Sequence, residues 1–432
     1  MRAVIMAGGK GTRLHGLTRD EIPKPMAPVH KKPILQWQLE CLRQNGIKEV
    51  RIVIGHLGGA IRSAFGDGRE MGLGITYFAE DSPLGTAGAL AHLKDFVGGD
   101  DFFLAYGDCV FDIDIGRMAK FHKEKGAEAT LFAHPNSHPH DSDLLQIDGN
   151  GCVTGIFPKD AARAGWRRNM VNAGAYMLKA AACEQNPGGG RYDLEKDYIC
   201  GLIPKRRVYG YVSTEYIKDA GTPARLESVS EALRKGIVAA RNLRNPQKCV
   251  FLDRDGTINR YNGLVSRAED FELLPAAAEA LKALNGSGWL AIVATNQPVV
   301  ARGLCGIDGV EEIHAKMETL LGESGAYADA VYFCPHHPDK GYPEENPEYK
   351  IKCVCRKPGI GMLKDAADRF NICLRDSWLI GDTTVDIQTG KNAGLKTALV
   401  LTGLGGTDGK HDARPDFVAG DVLGAVGGII NG

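Results

Sequence analysis

The chain has no long uncharged apolar run, so nothing in it reads as a membrane span, which needs about 20 consecutive apolar residues. It has little charge imbalance. The 52 Lys and Arg nearly cancel the 53 Asp and Glu, and the signs are mixed, which excludes a basic nucleic-acid tail and an acidic tract. Aromatics are sparse at 7%, whereas glycines number 55, a balance that suits α/β folds with many tight turns rather than a bundle or a disordered chain. A disulfide framework is also missing. The eleven cysteines are odd in number, and apart from three within Cys334–Cys355 they are scattered singly, which points to a reducing cytoplasm and one metal site. The start, MRAVIMAGGKGTR, lacks the apolar segment of a secretory signal and reads as a first strand. The length suggests two or three domains.

What is present centres on Lys248–Thr257, KCVFLDRDGT. Short apolar residues lead into Asp253 and Asp255, which at i and i+2 share one side of a strand. Both carboxylates then stand at a strand's carboxyl end, where open α/β sheets place active sites. The pattern begins too late to open a one-domain protein. The polar stretch Arg241–Lys248 marks the junction, which divides the chain into a domain over 1–235, a linker over 236–247 and a domain over 248–432. Downstream, Leu274–Leu284 reads as a helix, Trp289–Ala294 as a strand ending in Thr295-Asn296-Gln297, Gly309–Leu321 as a helix and Ser377–Ile380 as a strand leading into Gly381-Asp382. Such alternation predicts a parallel sheet with helices on both faces. Asp253 can attack phosphorus and Asp255 can act as acid and base. Thr295 can hold a phosphoryl oxygen, Lys357 can offset charge, and Asp382 can complete a magnesium site with Asp253 and the backbone carbonyl of Asp255.

Between Thr295 and Lys357 lies C-x-H-x16-C-x-C, formed by Cys334, His336, Cys353 and Cys355. Three thiolates and an imidazole suit a closed tetrahedral zinc site. His337 stands as a rival to His336. The loop is polar and Pro-rich, so metal would stabilise it directly and fix Arg356 and Lys357, which follow Cys355.

In the first half, the strand Ala3–Met6 runs into AGGKGTRL. Gly8, Gly9 and Gly11 permit close backbone approach, successive N–H groups there can cradle phosphate, and Arg13 can bind it bidentately. The pattern is neither Walker A nor GxGxxG. Lys24 sits between two prolines that fix the local backbone. Leu84–Leu90 reads as a Gly turn entering a helix, with small residues that leave room for a flat base. Phe102–Ala105 is a buried strand ended by Gly107-Asp108. His134–Asp143 reads as a polar lid or loop, Leu194–Ile203 and Leu226–Ala240 as helices, and Thr222 as an N-cap before Pro223.

AGGKGTRL, Pro23–Val29, LGTAGAL, Gly107-Asp108 and KDAGTPARL, in that order, resemble the sugar-phosphate nucleotidyltransferases over roughly residues 1–230. The resemblance implies a Rossmann-like domain. Gly8, Gly9, Gly11, Thr12 and Arg13 would hold a nucleoside triphosphate, and Lys24 would touch phosphate near the reacting phosphorus. Gly85, Thr86 and Gly88 would face the base, with Asn172 among the substrate contacts. Asp108 and Asp219 would hold magnesium, and Lys159 would grip the sugar phosphate. Pro158 stands where the family has a Glu, which leaves the sugar hydroxyl contacts open and is the feature that would favour a nucleotide-sugar sensor instead.

The second half, through FLDRDGTIN, TNQ, Ala301-Arg302-Gly303, Cys334-Pro335-His336-His337-Pro338, CVCRKP and Gly381-Asp382, resembles the zinc-bearing haloacid-dehalogenase-type phosphatases. Some of these act on heptose 1,7-bisphosphate and others on histidinol phosphate. Thr295, Asn296, Arg302, Arg356 and Lys357 would contact substrate. Fusion favours the heptose, because removing its 7-phosphate leaves the sugar 1-phosphate that a nucleotidyltransferase consumes. The expectation is a cytoplasmic enzyme acting on sugar phosphates and a nucleoside triphosphate, preferably GTP with the α anomer, with magnesium in both domains and zinc in the second. It has no nucleic-acid or membrane partner, and its oligomeric state is open, a dimer included.

Overall fold

The computed structural model describes residues 1–9, 21–160, 163, 165–186 and 190–432. They form two compact units. Unit 1 comprises Met1–His134, Leu145–Phe157 and Asn172–Asn242, and unit 2 comprises Pro135–Leu144, Pro158–Val171 and Leu243–Gly432.

Unit 1 is built on a mixed sheet. β1 (Ala3–Ala7) is paired in parallel with β2 (Glu49–Ile54) and β4 (Phe102–Tyr106), and β3 (Gly74–Ala79) extends the sheet beyond β2. β6 (Val171–Leu178) runs antiparallel to β4. Helix α1 (Ile34–Gln44) buries Ile34, Leu35, Gln38, Leu39, Cys41 and Leu42, a helical period that gives it one apolar face. Buried Gln38 donates to the carbonyls of Tyr106 (2.8 Å) and Cys109 (2.6 Å), which fixes the chain on both sides of Asp108. β5 (Cys109–Asp112) pairs antiparallel with β7 (Tyr216–Asp219), and Asp219 lies opposite Cys109. This ribbon delivers Asp219 next to the Asp108 turn.

Three helix expectations are corrected here. Over Leu226–Ala240 there are two helices. α2 (Pro223–Arg234) starts at the Thr222 cap, and a separate turn follows at Ile237–Ala240. Gly236, at φ +73°, reverses the chain between them, as a left-handed C-terminal glycine does. The helix after the Leu84 turn is a 3-10 helix, Gly88–His92. Leu194–Ile199 is a π-turn that continues into α-helix only over Cys200–Leu202.

Unit 2 carries an all-parallel sheet of β8 (Cys249–Leu252), β9 (Leu290–Asn296), β10 (Ala330–Cys334), β11 (Trp378–Gly381), β12 (Lys396–Val400) and β13 (Phe417–Ala419), in the order β10-β9-β8-β11-β12-β13. Alternate β8 residues enter different cores. Val250 and Leu252 pack with α3 (Pro275–Asn285), α4 (Ile307–Glu323) and α7 (Val422–Asn431), while Cys249 and Phe251 pack with α5 (Gly361–Phe370). The strand order reverses direction at β8, so a crevice opens beyond its carboxyl end.

Two early stretches belong to this unit by their contacts. Within Pro158–Val171, Trp166 packs against the α3–α4–α7 core. Arg168 makes paired hydrogen bonds to Glu318 of α4, both at 2.9 Å. His134–Asp143, expected as a lid or loop, contains one 3-10 turn, Pro139–Asp141, and Pro139 lies against Gly322 of α4. The passage between the units at Asn242–Leu243 falls within the expected linker, yet Arg241, Asn242, Leu243 and Gln247 are buried. Among the described residues no helix is long and apolar enough to cross a membrane.

Candidate active sites and metal centre

At the carboxyl end of β8, Asp253 is 8% exposed, and its N–H donates to Ile380 O of β11 at 2.9 Å. β11 ends in Gly381 and places Asp382 beside it. The following helix α6 (Thr384–Ala393) places Asp386 there too, held by a reciprocal capping box with Thr383. Oxygens of Asp253, Asp382 and Asp386 all lie within 4.8 Å of one another, a group that could hold a metal ion. Lys357 binds Asp253 at 2.8 Å and Asp386 at 2.5 Å, with its side chain 2% exposed. One ammonium thus pairs with two of the three carboxyls. Burial, then repulsion from Asp386, pushes Asp253 up to about 6 against the pull of Lys357. Burial, then repulsion from Asp253, pushes Asp382 up to about 8. Burial opposes the charge of Lys357, but the two aspartates outweigh it and hold the amine protonated.

Asp382 Oδ2 accepts from Leu404 N–H at 2.7 Å, and Oδ1 is buried without a hydrogen-bond partner. An orphaned carboxylate oxygen in a carboxylate cluster fits a hard divalent cation. Gly256 is required here. Its φ is +82°, and a Cβ would lie 2.3 Å from Asp382 Oδ2.

The second carboxylate, Asp255, accepts from Arg254 Nη2 (2.9 Å), Gln297 Nε2 (2.7 Å) and Asn259 Nδ2 (3.0 Å). Thr295 is buried, and its Oγ1 accepts from Gln297 Nε2 at 3.0 Å. Asn296 exchanges two hydrogen bonds with the backbone of Lys357, so it acts on the crevice by holding Lys357. Arg302 stacks on Tyr342 with 4.3 Å to the ring centroid, and Arg356 donates to His336 O at 3.1 Å.

The Cys/His loop converges as its spacing predicts. The Sγ atoms of Cys334, Cys353 and Cys355 lie 3.2–3.5 Å apart, with His336 Nδ1 at 3.6 Å from Cys334 and 3.4 Å from Cys355. His336, rather than His337, supplies the nitrogen in this group, while His337 Nδ1 accepts from Asp339 N–H at 3.2 Å. A Cys3His donor set fits a structural transition-metal ion.

In unit 1, Lys24 Nζ binds Asp108 Oδ2. Asp219 is held by Arg225 Nη1 at 3.0 and 2.9 Å, a contact that sequence reading did not single out. Gly221 sits so close that a Cβ on it would lie 2.9 Å from Lys24 Nζ and 3.0 Å from Asp219 Oδ1, which places Lys24 and Asp219 around one point. Gly8 lies close to Glu80, and Gly9 faces open space. Gly11, Thr12 and Arg13 lie outside the described residues. A Cβ on Gly85 or Gly88 would fall 2.6 Å from the carbonyl oxygens of Tyr192 and Gly190, so these glycines let two loops pack together. Thr86 Oγ1 accepts from Leu194 N–H at 2.8 Å. Asn172 donates to Tyr176 OH at 2.8 Å, and Tyr176 and Tyr106 both donate to half-buried Glu195. Lys159 belongs to unit 2. Its N–H donates to Asp143 at 2.8 Å and its Nζ to Asp141 at 3.4 Å.

Two family descriptions match the chain, nucleotidyl transferase over residues 2–236 and HAD-hydrolase-like over 354–425. A D-glycero-D-manno-heptose-1,7-bisphosphate 7-phosphatase of Thermosynechococcus vestitus is 40% identical over 188 residues, 42% of this chain and 94% of the relative. A UTP–glucose-1-phosphate uridylyltransferase of Synechocystis is 34% identical over 47% of this chain and 55% of the relative. A mannose-1-phosphate guanylyltransferase of Mycobacterium tuberculosis is 30% identical over 56% of this chain and 67% of the relative. The chain thus spans a little over half to two thirds of the length of these two nucleotidyltransferases. It unites a nucleotidyltransferase with a HAD-type phosphohydrolase, belonging to the nucleotidyl transferase family in its first half and to the family of the heptose-bisphosphate phosphatases in its second.

Proposed function

We propose that the second half removes the 7-phosphate of D-glycero-D-manno-heptose 1,7-bisphosphate, and that the first half joins the resulting heptose 1-phosphate to GMP from GTP, giving GDP-heptose and pyrophosphate. The observation that carries this is the pairing of relatives in one chain. Several relatives of the second half are named for the 7-phosphatase reaction, whose product keeps its 1-phosphate, and two relatives of the first half are named for transfer to sugar 1-phosphates. The guanylyltransferase among the relatives supports GTP, and the uridylyltransferase supports UTP as the competing base.

In the phosphatase step an Asp253 oxygen attacks phosphorus, forming an aspartyl phosphate as the phosphorus–sugar oxygen bond breaks. Asp255 gives its proton to the leaving oxygen. It then takes a proton from the water that attacks the aspartyl phosphate, and phosphate leaves. Lys357 offsets the charge on Asp253 and on the phosphoryl oxygens, and Thr295 donates to one of them. Asp253, Asp382 and the backbone carbonyl of Asp255 would hold magnesium, which neutralises phosphoryl charge when bound. Arg302 and Arg356 are assigned to the remote phosphate or hydroxyls. In the transferase step an oxygen of the sugar phosphate attacks the α-phosphorus of GTP in line. The phosphate is already ionised, so the protein positions and neutralises through Lys24 and Arg13, with Asp108 and Asp219 as carboxylates for magnesium. The Cys3His group would hold a structural zinc. We place the enzyme in the cytoplasm, in keeping with eleven cysteines that form no disulfide and a nucleoside triphosphate substrate.

The test supplies the full chain with each anomer of the bisphosphate, magnesium and a mixture of ATP, CTP, GTP and UTP, and identifies products by mass. GDP-heptose from the α anomer is expected. Exclusive formation of another nucleotide sugar overturns the base, and turnover of histidinol phosphate alone overturns the substrate class.

A pH dependence follows from the carboxylate group. Burial and repulsion raise Asp253 to about 6 and Asp382 to about 8. Both therefore hold protons in the fold that they would lose when unfolded. In the cation-free protein this contribution to stability is lost as pH rises from the ordinary carboxylate range through about 8. A cation must displace those protons at low pH, so the gain in melting temperature from saturating magnesium should be larger near about pH 8.5 than near about pH 5.5. Equal gains would refute the assignment.

A further inference from the structure

Arg254 stands between the two aspartates of the DxD segment and is the largest fully buried side chain among the described residues. Its guanidinium does not reach solvent. Nε donates to Asp255 Oδ1 at 3.2 Å, and Nη2 to Oδ1 and Oδ2 at 2.9 and 3.1 Å. Nη1 points the other way and meets His314 Nε2 at 3.2 Å. His314 is fully buried on α4 with its ring edge-on to Phe333, 5.3 Å between centroids. An arginine can only donate, so Nε2 must accept and the ring proton must sit on Nδ1. Burial, then Arg254 and Arg168, hold the imidazole well below its ordinary pKa, which keeps the accepting lone pair free. His314 Nδ1 is itself buried without a hydrogen-bond partner, a cost that only the Nε2 contact offsets.

We infer that His314 is a positioning residue for the phosphatase reaction: by accepting from Arg254 it locks the guanidinium fork, and the fork fixes the Asp255 carboxyl in the orientation needed to protonate the leaving oxygen. Without an acceptor at this place, Nη1 is an unsatisfied donor in a dry interior. The guanidinium then turns about its Cδ–Nε bond to find another partner, and Asp255 turns with it. Gln297 and Asn259 hold Asp255 from other sides, so the carboxyl stays in the crevice but loses its alignment.

The inference rests on the acid–base reading of Asp255 given above, and the experiment separates the two. A leaving group that departs readily needs little protonation, whereas a primary sugar alkoxide needs a great deal. The full chain with magnesium is assayed on heptose 1,7-bisphosphate and on p-nitrophenyl phosphate, and the ratio of the two turnover numbers is read. That ratio does not depend on the fraction of protein that is folded. His314→Met keeps bulk without the Arg254 acceptor geometry, and His314→Gln restores a carbonyl acceptor. With His314→Met, the alkyl substrate should lose on the order of 30-fold in kcat and the aryl substrate less than about threefold, a split that marks impaired general-acid catalysis. His314→Gln should recover most of the ratio, and KM should change little in both. Asp255→Asn is measured alongside. If Asp255→Asn shifts the ratio and His314→Met does not, or if His314→Gln is no better than His314→Met, the inference is overturned. If Asp255→Asn leaves the ratio unchanged, the acid–base reading itself falls.

Discussion

Asp253→Asn in the full chain should lower phosphate release from the bisphosphate by on the order of 10^4-fold or more, the scale seen when a covalent nucleophile is removed. Pyrophosphate release from GTP and heptose 1-phosphate should stay within about twofold, because the substitution touches no group of the transferase reaction. The argument is local. The amide has nearly the shape of the carboxylate but no charged oxygen to attack phosphorus. Its loss also leaves Lys357 bound to Asp386 alone. Stability should not fall with activity. Asp253 is buried beside two other carboxyls and is pushed up to about 6 by burial and Asp386, so a neutral isostere relieves repulsion at neutral pH. An active site that is strained for function should become more stable when disarmed. Phosphatase activity within about 100-fold of the parent, measured on purified variant, would remove Asp253 from the role of nucleophile.

Cys353→Ser should be the most destabilising conservative change in unit 2. Structural zinc sites contribute apparent binding energies on the order of 10 kcal/mol at neutral pH. The loop that carries these donors has little else to hold it. Ile351 and Val354 are 46% and 80% exposed, and 3-10 turn Pro347–Tyr349 buries none of its residues. A serine hydroxyl does not replace a thiolate, so even a loss of about 3 kcal/mol lowers the melting temperature of a domain this size by roughly 6–12 °C. Metal analysis of the parent should give about one zinc per chain. The change should also reach the phosphatase, because Cys355 is followed directly by Arg356 and Lys357. A folded parent free of metal, melting at the same temperature as Cys353→Ser, would dismiss the zinc site.

Asp253 and Asp382 were legible because each ends an apolar strand, and strand ends in a parallel sheet converge. The Cys/His set was legible because its spacing is local on both sides of one loop. Residues that act through distant partners were not. Asp386 looks like an ordinary helix-capping residue, and nothing near it in sequence says that Lys357, 29 positions away, binds it. Arg225 sits in the KDAGTPARL stretch, but its reach back to Asp219 depends on the helix start that Thr222 fixes. Gly85 and Gly88 read as room for a base, and in the fold each also admits a backbone carbonyl from residues about a hundred positions on, a packing role that sequence spacing does not show. The break at Gly236 was present as a glycine after a basic turn, and apolar periodicity running past it concealed the stop.

The early stretches Pro135–Leu144 and Pro158–Val171 sit in unit 2, so the backbone passes from one unit to the other five times, at 134/135, 144/145, 157/158, 171/172 and 242/243. Two enzymes strung on a single tether could be separated by one scission. Here a cut at 242/243 leaves Pro135–Leu144 and Pro158–Val171, two segments of unit 2, on the polypeptide that carries unit 1. A gene split at that point would give a second polypeptide lacking Trp166 from its core and Arg168 from Glu318. The order of catalytic motifs along the sequence is that of a simple fusion, but unit 2 draws two of its segments from the first half of the chain, so division at the junction alone does not return each unit whole.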